Sequence, residues 1–241
     1  MQSGLYVALS AQVALDKRMD TIANNVANLA TVGYRADATH FESVLSETGS
    51  DPVAFASAGG TYISRASGEM IHTNNQLDVA VQGDGWLAAQ TPSGVVYTRD
   101  GRMVMTDTGD LRTLDGYPIL DAGNSPLILD PNAGPPVIAR DGMITQGGRQ
   151  TGAIGLFQID DKAKLSRADN SGVIPDRPAT PILDFSKNGI MQGFVEGANV
   201  NPVMEMANLI KVTRTFESVA SLSQTTESSL QDAIKTLGSN S

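Results

Sequence analysis

The sequence contains no cysteine and only two histidines, His40 and His72. The absence of cysteine excludes thiol catalysis, disulfide bonds, iron–sulfur clusters and zinc sites with cysteine ligands. Two imidazoles are too few for a histidine-rich metal site. We therefore expect the protein to hold no metal ion and no cofactor.

Positive charge is also scarce: 17 lysines and arginines face 26 aspartates and glutamates, which gives a formal net charge of −9. Nucleic acids and anionic membrane surfaces both require a basic face, and the cations here form no cluster. No apolar run reaches the roughly 18 residues of a membrane helix. The first cation is Lys17, so the positively charged start of a secretory signal is missing. We expect no nucleic-acid partner, no membrane insertion and no cleaved signal peptide.

The first thirty residues predict a long amphipathic helix. Apolar residues recur at alternating three- and four-residue steps, and neither proline nor glycine occurs between Leu5 and Leu29. Gly33 is a plausible end of the helix. The apolar positions of this seam are Leu5, Ala8, Leu15, Met19, Ile22, Val26 and Leu29.

The last forty residues predict a second such helix. Pro202 suits its first turn, and Asn201 precedes it as the N-cap. Serine and threonine are dense between Thr213 and Ser229, so this helix is marginal alone and requires a partner surface. Its apolar positions are Met206, Leu209, Phe216, Ala220, Leu230, Ile234 and Leu237.

The middle of the chain has a different sequence pattern, in which short apolar runs are separated by turn signals such as Asp-Gly. Strands are expected at 77–81, 86–89, 95–98, 103–105 and 154–159. The predicted fold class is α+β, with an antiparallel β-rich central domain flanked by N- and C-terminal amphipathic helices that pair as a coiled-coil-like arm. The expected division is an N-terminal arm at 1–34, a linker or irregular segment at 35–60, the β-rich domain at 61–194 and a C-terminal arm at 195–241.

The sequence offers only weak candidates for catalytic residues. The carboxylates of the middle region could in principle supply a glycosidase pair, but most lie beside glycine or in clusters typical of turns. No Gly-x-Ser-x-Gly motif occurs in the chain. We therefore expect no catalytic residues. The carboxylates considered are Asp84, Asp100, Asp107, Asp110, Asp115 and Asp121.

Three asparagines, Asn24, Asn25 and Asn28, lie beside the first apolar seam, where they lower helix propensity. They fit either the fraying end of a helix or amide contacts with a neighbouring chain or a buried loop. The sequence pattern alone leaves both interpretations open.

Several blocks resemble the bacterial flagellar rod and hook proteins. Residues 22–35 contain the Ala-Asn-Asn-aliphatic-Ala-Asn pattern followed by Thr31, Gly33, Tyr34 and Arg35 at the family's spacing. Residues 76–86 are similar to its Leu-Asp-apolar-Ala stretch that ends in Gly-Asp-Gly and an aromatic residue. Residues 97–101, 115–118 and 197–206 also match, in the family's order.

The resemblance implies a structural axial subunit of the flagellar basal-body rod, located in the periplasm-spanning rod. The length and the Asn-Val-Asn-Pro-Val block look most like a proximal rod protein, with a distal rod or hook-type protein as the alternative. The implied partners are other rod subunits and the flagellar type III export apparatus. A secreted wall hydrolase or an adhesin represents the competing classes.

In this family the terminal helices form an inner layer that transmits torque from motor to hook. The resemblance therefore implies that the apolar seams and the three asparagines contact neighbouring subunits. The expected interface residues are Leu15, Met19, Ile22, Asn24, Asn25, Val26, Asn28, Leu29, Leu209, Phe216, Leu230 and Ile234.

Overall fold

The computed structural model describes residues 2–46, 53–169 and 171–238. Over these residues it contains two helices, α1 at Gln2–Ala27 and α2 at Pro202–Gly238, with all the strands between them. The strands in chain order are β1 Asp37–Ser46, β2 Val53–Ile63, β3 Met70–His72, β4 Val79–Gln82, β5 Gly85–Thr91, β6 Gly94–Thr98, β7 Met103–Met105, β8 Leu111–Thr113, β9 Val137–Ile138, β10 Met143–Gln146, β11 Arg149–Ala153, β12 Leu156–Gln158, β13 Leu165–Ala168, β14 Gly172–Pro175, β15 Thr180–Pro181, β16 Gly189–Gln192 and β17 Phe194–Glu196.

The described residues form two compact units. The helical unit comprises those within 1–27, 37–62 and 201–241, and the β unit comprises those within 28–36 and 63–200. The coarse part of the expected fold class is confirmed: the protein is α+β, with an antiparallel β-rich core and a helix near each end of the chain. The coiled-coil-like pairing of the helices stays a prediction.

A six-stranded sheet in the order β13-β14-β6-β5-β12-β15 organises the β unit, and all its strand pairs are antiparallel. Leu87 on β5 and Leu156 on β12 face each other in the ladder and belong to the main core. The buried members of this core are Val79, Val81, Leu87, Ala89, Met103, Leu111, Ile119, Leu127, Leu129, Ile138, Ile144, Ile154, Leu156, Ile182 and Ile190.

Strands occur at all five positions where the sequence predicts them, in β4, β5, β6, β7 and β12. The turn signals between strands are also confirmed. Gly147 and Gly148 join β10 to β11 with φ angles of 54° and 77°, values that a two-residue hairpin requires and glycine adopts without strain.

In the helical unit, α1 and α2 pack against each other. Asn201 caps α2 as expected, because its Oδ1 accepts hydrogen bonds from the backbone amides of Val203 and Met204, both at 3.1 Å. Hydroxyls of serine and threonine side chains in α2 donate to backbone carbonyls three or four residues earlier. The donors are Thr213, Thr215, Ser218, Thr225, Thr226, Ser228 and Thr236.

The structure differs from the expectation of a linker at 35–60. Its described residues include the antiparallel strands β1 and β2, which form a sheet of their own. Alanine, serine, threonine and glycine make up much of these strands, so the period-two alternation of large apolar side chains is weak there. Residues 47–52 lie outside the described part of the chain.

We predict that Gly101→Ala destabilises the β unit by about 2–3 kcal/mol, because a Cβ at this position would overlap the carbonyl oxygen of buried Val79. Gly116→Ala is the control, since its Cβ would meet no atom within 4 Å and only the backbone φ of 86° is disfavoured, at about 1 kcal/mol. Urea unfolding followed by the fluorescence of Trp86 measures both. Equal losses in the two variants would contradict the packing argument.

Candidate subunit interface and buried cluster

The predicted interface residues of the helical unit lie at different depths. Ile22 and Asn25 are buried, and Asn24 is exposed. The remaining described side chains of this set are half-buried: Leu15, Met19, Val26, Leu209 and Phe216. The side chains of Leu230 and Ile234 lie outside the described residues, and half-buried Asn28 and Leu29 belong to the β unit.

The two helices run antiparallel where they pack. The Oγ1 of Thr213 lies 3.8 Å from the Sδ of Met19, whereas Asn25, later in α1, lines the same groove as Glu205, earlier in α2. The most deeply buried apolar side chains of the two helices are Ala14, Ile22 and Val212. Ile22 of the first predicted seam thus lies in the packed face, whereas the other described residues of the predicted interface set on these helices, apart from Asn25, are half-buried or exposed.

Both helices also carry exposed apolar side chains, which, apart from Met206, lie outside the predicted seams. On α1 these are Tyr6, Leu9 and Val13, which are between 53% and 60% exposed. Their spacing of three and four residues places them on one face of the helix. A second row with the same spacing lies on α2, at Val203, Met206 and Ile210.

Asn25 has a defined role within the chain. Its Nδ2 donates to the carbonyl oxygen of Asp37 and its Oδ1 accepts from the amide of the same residue, both at 2.9 Å. The side chain therefore pairs with the first residue of β1 as a neighbouring strand would. Asn28 accepts a hydrogen bond from the Oγ1 of Thr31 at 3.1 Å.

The most deeply buried charges of the β unit form one cluster around Glu196, at the end of β17. The Oε1 of Glu196 lies 2.8 Å from an Nη2 of Arg35, and its Oε2 lies 3.1 Å from the Nη1 of Arg99. All three side chains are at most 2% exposed. Each arginine thus has its own carboxylate oxygen.

Backbone carbonyls and an aromatic ring complete this arginine–glutamate cluster. Arg99 donates to the carbonyls of Val81 at 3.1 Å and Gly83 at 2.6 Å, and Arg35 donates to that of Ala66. Both guanidinium carbons lie over the ring of Trp86, at 5.2 Å for Arg99 and 5.7 Å for Arg35. Such cation–π contacts stabilise desolvated guanidinium groups.

Two arginines and one glutamate leave a net positive charge in the cluster. Burial lowers the pKa of Arg99 to about 10 and also lowers the pKa of Arg35. Smaller electrostatic contributions from Glu196 and from exposed Asp84 act in the opposite direction. Asp84 therefore supplies part of the missing counter-charge.

The cluster fastens two chain segments together. The amide of Gly33 donates to the carbonyl of Glu196 at 2.7 Å, and the amide of Asn199 donates to the carbonyl of Tyr34 at 3.2 Å. The Oδ1 of Asn199 accepts from the amide of Ala36 at 2.6 Å. Residues 33–36 and 196–199 are thus bonded side by side in the β unit.

The described residues show no cluster of side chains that is typical of a metal site. They hold no group of three or more histidine, aspartate or glutamate side chains that could bind a metal ion. Neither helix, over its described length, is both long and apolar enough to cross a membrane. The turn interpretation of the carboxylates is supported at Asp121, whose Oδ1 accepts from the amides of Gly123 and Ser125, both at 2.8 Å.

Comparison with known proteins decides the family. The model described as "Flagella basal body rod protein" matches residues 5–35, "Flagellar hook protein FlgE/F/G D1 domain" matches 80–146, and "Flagellar basal body rod FlgEFG protein C-terminal" matches 191–236. The flagellar basal-body rod protein FlgF of Mesorhizobium japonicum is 52% identical over 241 residues, which cover 100% of both chains. The chain belongs to the flagellar basal-body rod protein family.

FlgF of Rhizobium meliloti is 45% identical over 99% of both chains, whereas FlgG of Bacillus subtilis is 29% identical over 97% of this chain and 98% of its own. The FlgF-type chain is therefore a structural subunit of the proximal rod, located in the flagellar basal body. Membership of this family implies assembly with other axial proteins of the flagellum.

The sequence blocks that resemble the rod family meet in the arginine–glutamate cluster. Arg35 ends the first block, Trp86 ends the second, and Arg99 lies in the third. Glu196 directly precedes the last of these blocks, residues 197–206. Sequence reasoning missed its role, because nothing in the local pattern marks this glutamate as the partner of two distant arginines.

We predict that Glu196→Gln lowers the free energy of unfolding by about 3–5 kcal/mol, because two buried guanidinium groups lose their counter-charge. The matched control is Glu69→Gln, at an exposed position of the same unit, with an expected change within about 0.5 kcal/mol. Thermal and urea unfolding measure both. A Glu196→Gln variant as stable as the control would refute the role of the buried charge.

Proposed function

We propose that the chain polymerises through its terminal helices and so transmits torque along the rod. The observation that carries this proposal is the apolar surface that the helices leave uncovered. Tyr6, Leu9 and Val13 on α1 and the row on α2 are exposed in a single chain. Contiguous exposed apolar surface of this kind marks sites of protein association.

The half-buried seam residues extend this surface. Leu15, Met19 and Val26 on α1 and Leu209 and Phe216 on α2 retain area that a neighbouring helix can cover. We propose that α1 and α2 pair in a coiled-coil-like manner and that neighbouring subunits complete the packing of both seams. Burial at roughly 25 cal/mol per Å² of apolar area then favours ordered assembly.

We further propose that the chain has no catalytic activity, and that it reaches the rod through the flagellar type III export apparatus without a cleaved signal peptide. Relatives of this chain carry the names of rod proteins, and two of the carboxylates considered, Asp121 and Asp100, are used in a turn and in an ion pair. A wall hydrolase would require a pair of carboxylates across a cleft. No specific observation favours the adhesin class.

Mass spectrometry of purified flagellar basal bodies from the source organism tests the function directly. We expect the full-length chain in basal bodies and its loss when residues 206–237 are deleted. Because that deletion removes most of α2 and its packing on α1, a milder variant is also needed.

The sharper prediction concerns Leu9→Ser combined with Val13→Ser, which removes exposed apolar surface from α1. We expect the helical circular dichroism of the purified chain to be retained, while its content in basal bodies falls at least tenfold, since each lost contact is worth about 1.5 kcal/mol or more. Asp16→Ser combined with Asp20→Ser is the control, at exposed polar positions of the same helix and spacing. Equal incorporation of both double variants would contradict assembly through this face.

A further inference from the structure

A groove in the helical unit carries an unexplained polar group. It is lined by three elements: α1 contributes Thr21 and Asn25, β1 contributes Asp37 and Thr39, and α2 contributes Glu205 and Asn208. Its volume is about 240 Å³. A cavity of this size admits one long side chain and excludes a folded segment.

Glu205 presents the feature that needs explanation. Its Oε2 is buried, and none of the described residues donates a hydrogen bond to it. A carboxylate can only accept hydrogen bonds, and leaving one of its oxygens unpaired in a buried place costs at least about 1–3 kcal/mol.

Two polar side chains that line the groove on α1 are already engaged. Both ends of the Asn25 amide are used by the backbone of Asp37, and the Oγ1 of Thr21 donates to the carbonyl of Lys17 at 2.9 Å. The charges that line the groove are two carboxylates, Asp37 and Glu205, and one guanidinium, Arg18. This balance leaves a net negative charge, which is complementary to a cation.

We propose that the groove receives a lysine or arginine side chain from a second copy of this chain, which donates to the Oε2 of Glu205. The inference rests on the proposed function, since it requires copies of the chain to assemble. The groove adjoins the exposed apolar row on α2, because Glu205 and Asn208, which line it, lie on that helix between Val203 and Ile210. A charge-assisted hydrogen bond in this position fixes register between copies, which apolar contacts alone specify poorly.

Photo-crosslinking in assembled basal bodies tests the groove. Thr39→p-benzoylphenylalanine places a photoreactive group at the groove wall, and mass spectrometry identifies the crosslinked peptide. We expect a crosslink to a lysine- or arginine-containing peptide of a second copy. Combining the Thr39 variant with Glu205→Gln, which keeps the shape of the side chain and removes its charge, should lower the yield of this crosslink about tenfold. The matched addition is Glu217→Gln, at an exposed position of α2, and it should change the yield less than twofold.

The outcomes separate the two proposals. If the Thr39 variant and the wild-type chain are absent from basal bodies, the proposed function fails and the groove proposal fails with it. If the chain is present but the crosslink is absent, joins a different protein, or is unchanged by Glu205→Gln, the groove proposal alone is overturned.

Discussion

The β unit depends on one buried carboxylate that holds two buried arginines. Glu196 gives one oxygen to Arg35 and the other to Arg99, and Trp86 lies against both guanidinium groups. Removal of water from three charges is costly unless each is paired and hydrogen-bonded. Here carbonyl acceptors and exposed Asp84 offset that cost, so the pairing constrains which chain segments can meet in this unit.

This constraint gives the rod-family sequence blocks a physical meaning. Residues 33–36 and 196–199 must lie side by side for the carboxylate to reach Arg35, and their backbones are hydrogen-bonded accordingly. In the helical unit, Asn25 holds the start of β1 in a comparable way through its amide. These motif residues thus serve the fold of a single chain, while exposed side chains such as Leu9 and Ile210 are left for assembly.

Local sequence patterns predicted the helices and strands well, but they predicted poorly which distant residues contact each other. The helices, five strands and turn glycines follow from periodicity and backbone geometry, which depend on near neighbours. The arginine–glutamate cluster does not follow from such patterns, because Arg99 and Glu196 are 97 residues apart. A lone buried glutamate has no local sequence signature. The apolar seams were predicted at positions that are mostly half-buried, and the more deeply buried Ala14 was not among them. The strands of 37–63 were missed because their small side chains alternate weakly.

Hydrogen exchange on the Arg35→Met variant tests the central claim most directly, namely that the cluster holds the two segments together. If it does, the amides of Gly33 and Asn199 lose protection in the variant, while amides of the β5–β6 pair keep theirs. Unchanged protection at Gly33 and Asn199 would show that the segments are held by other contacts and would contradict this account.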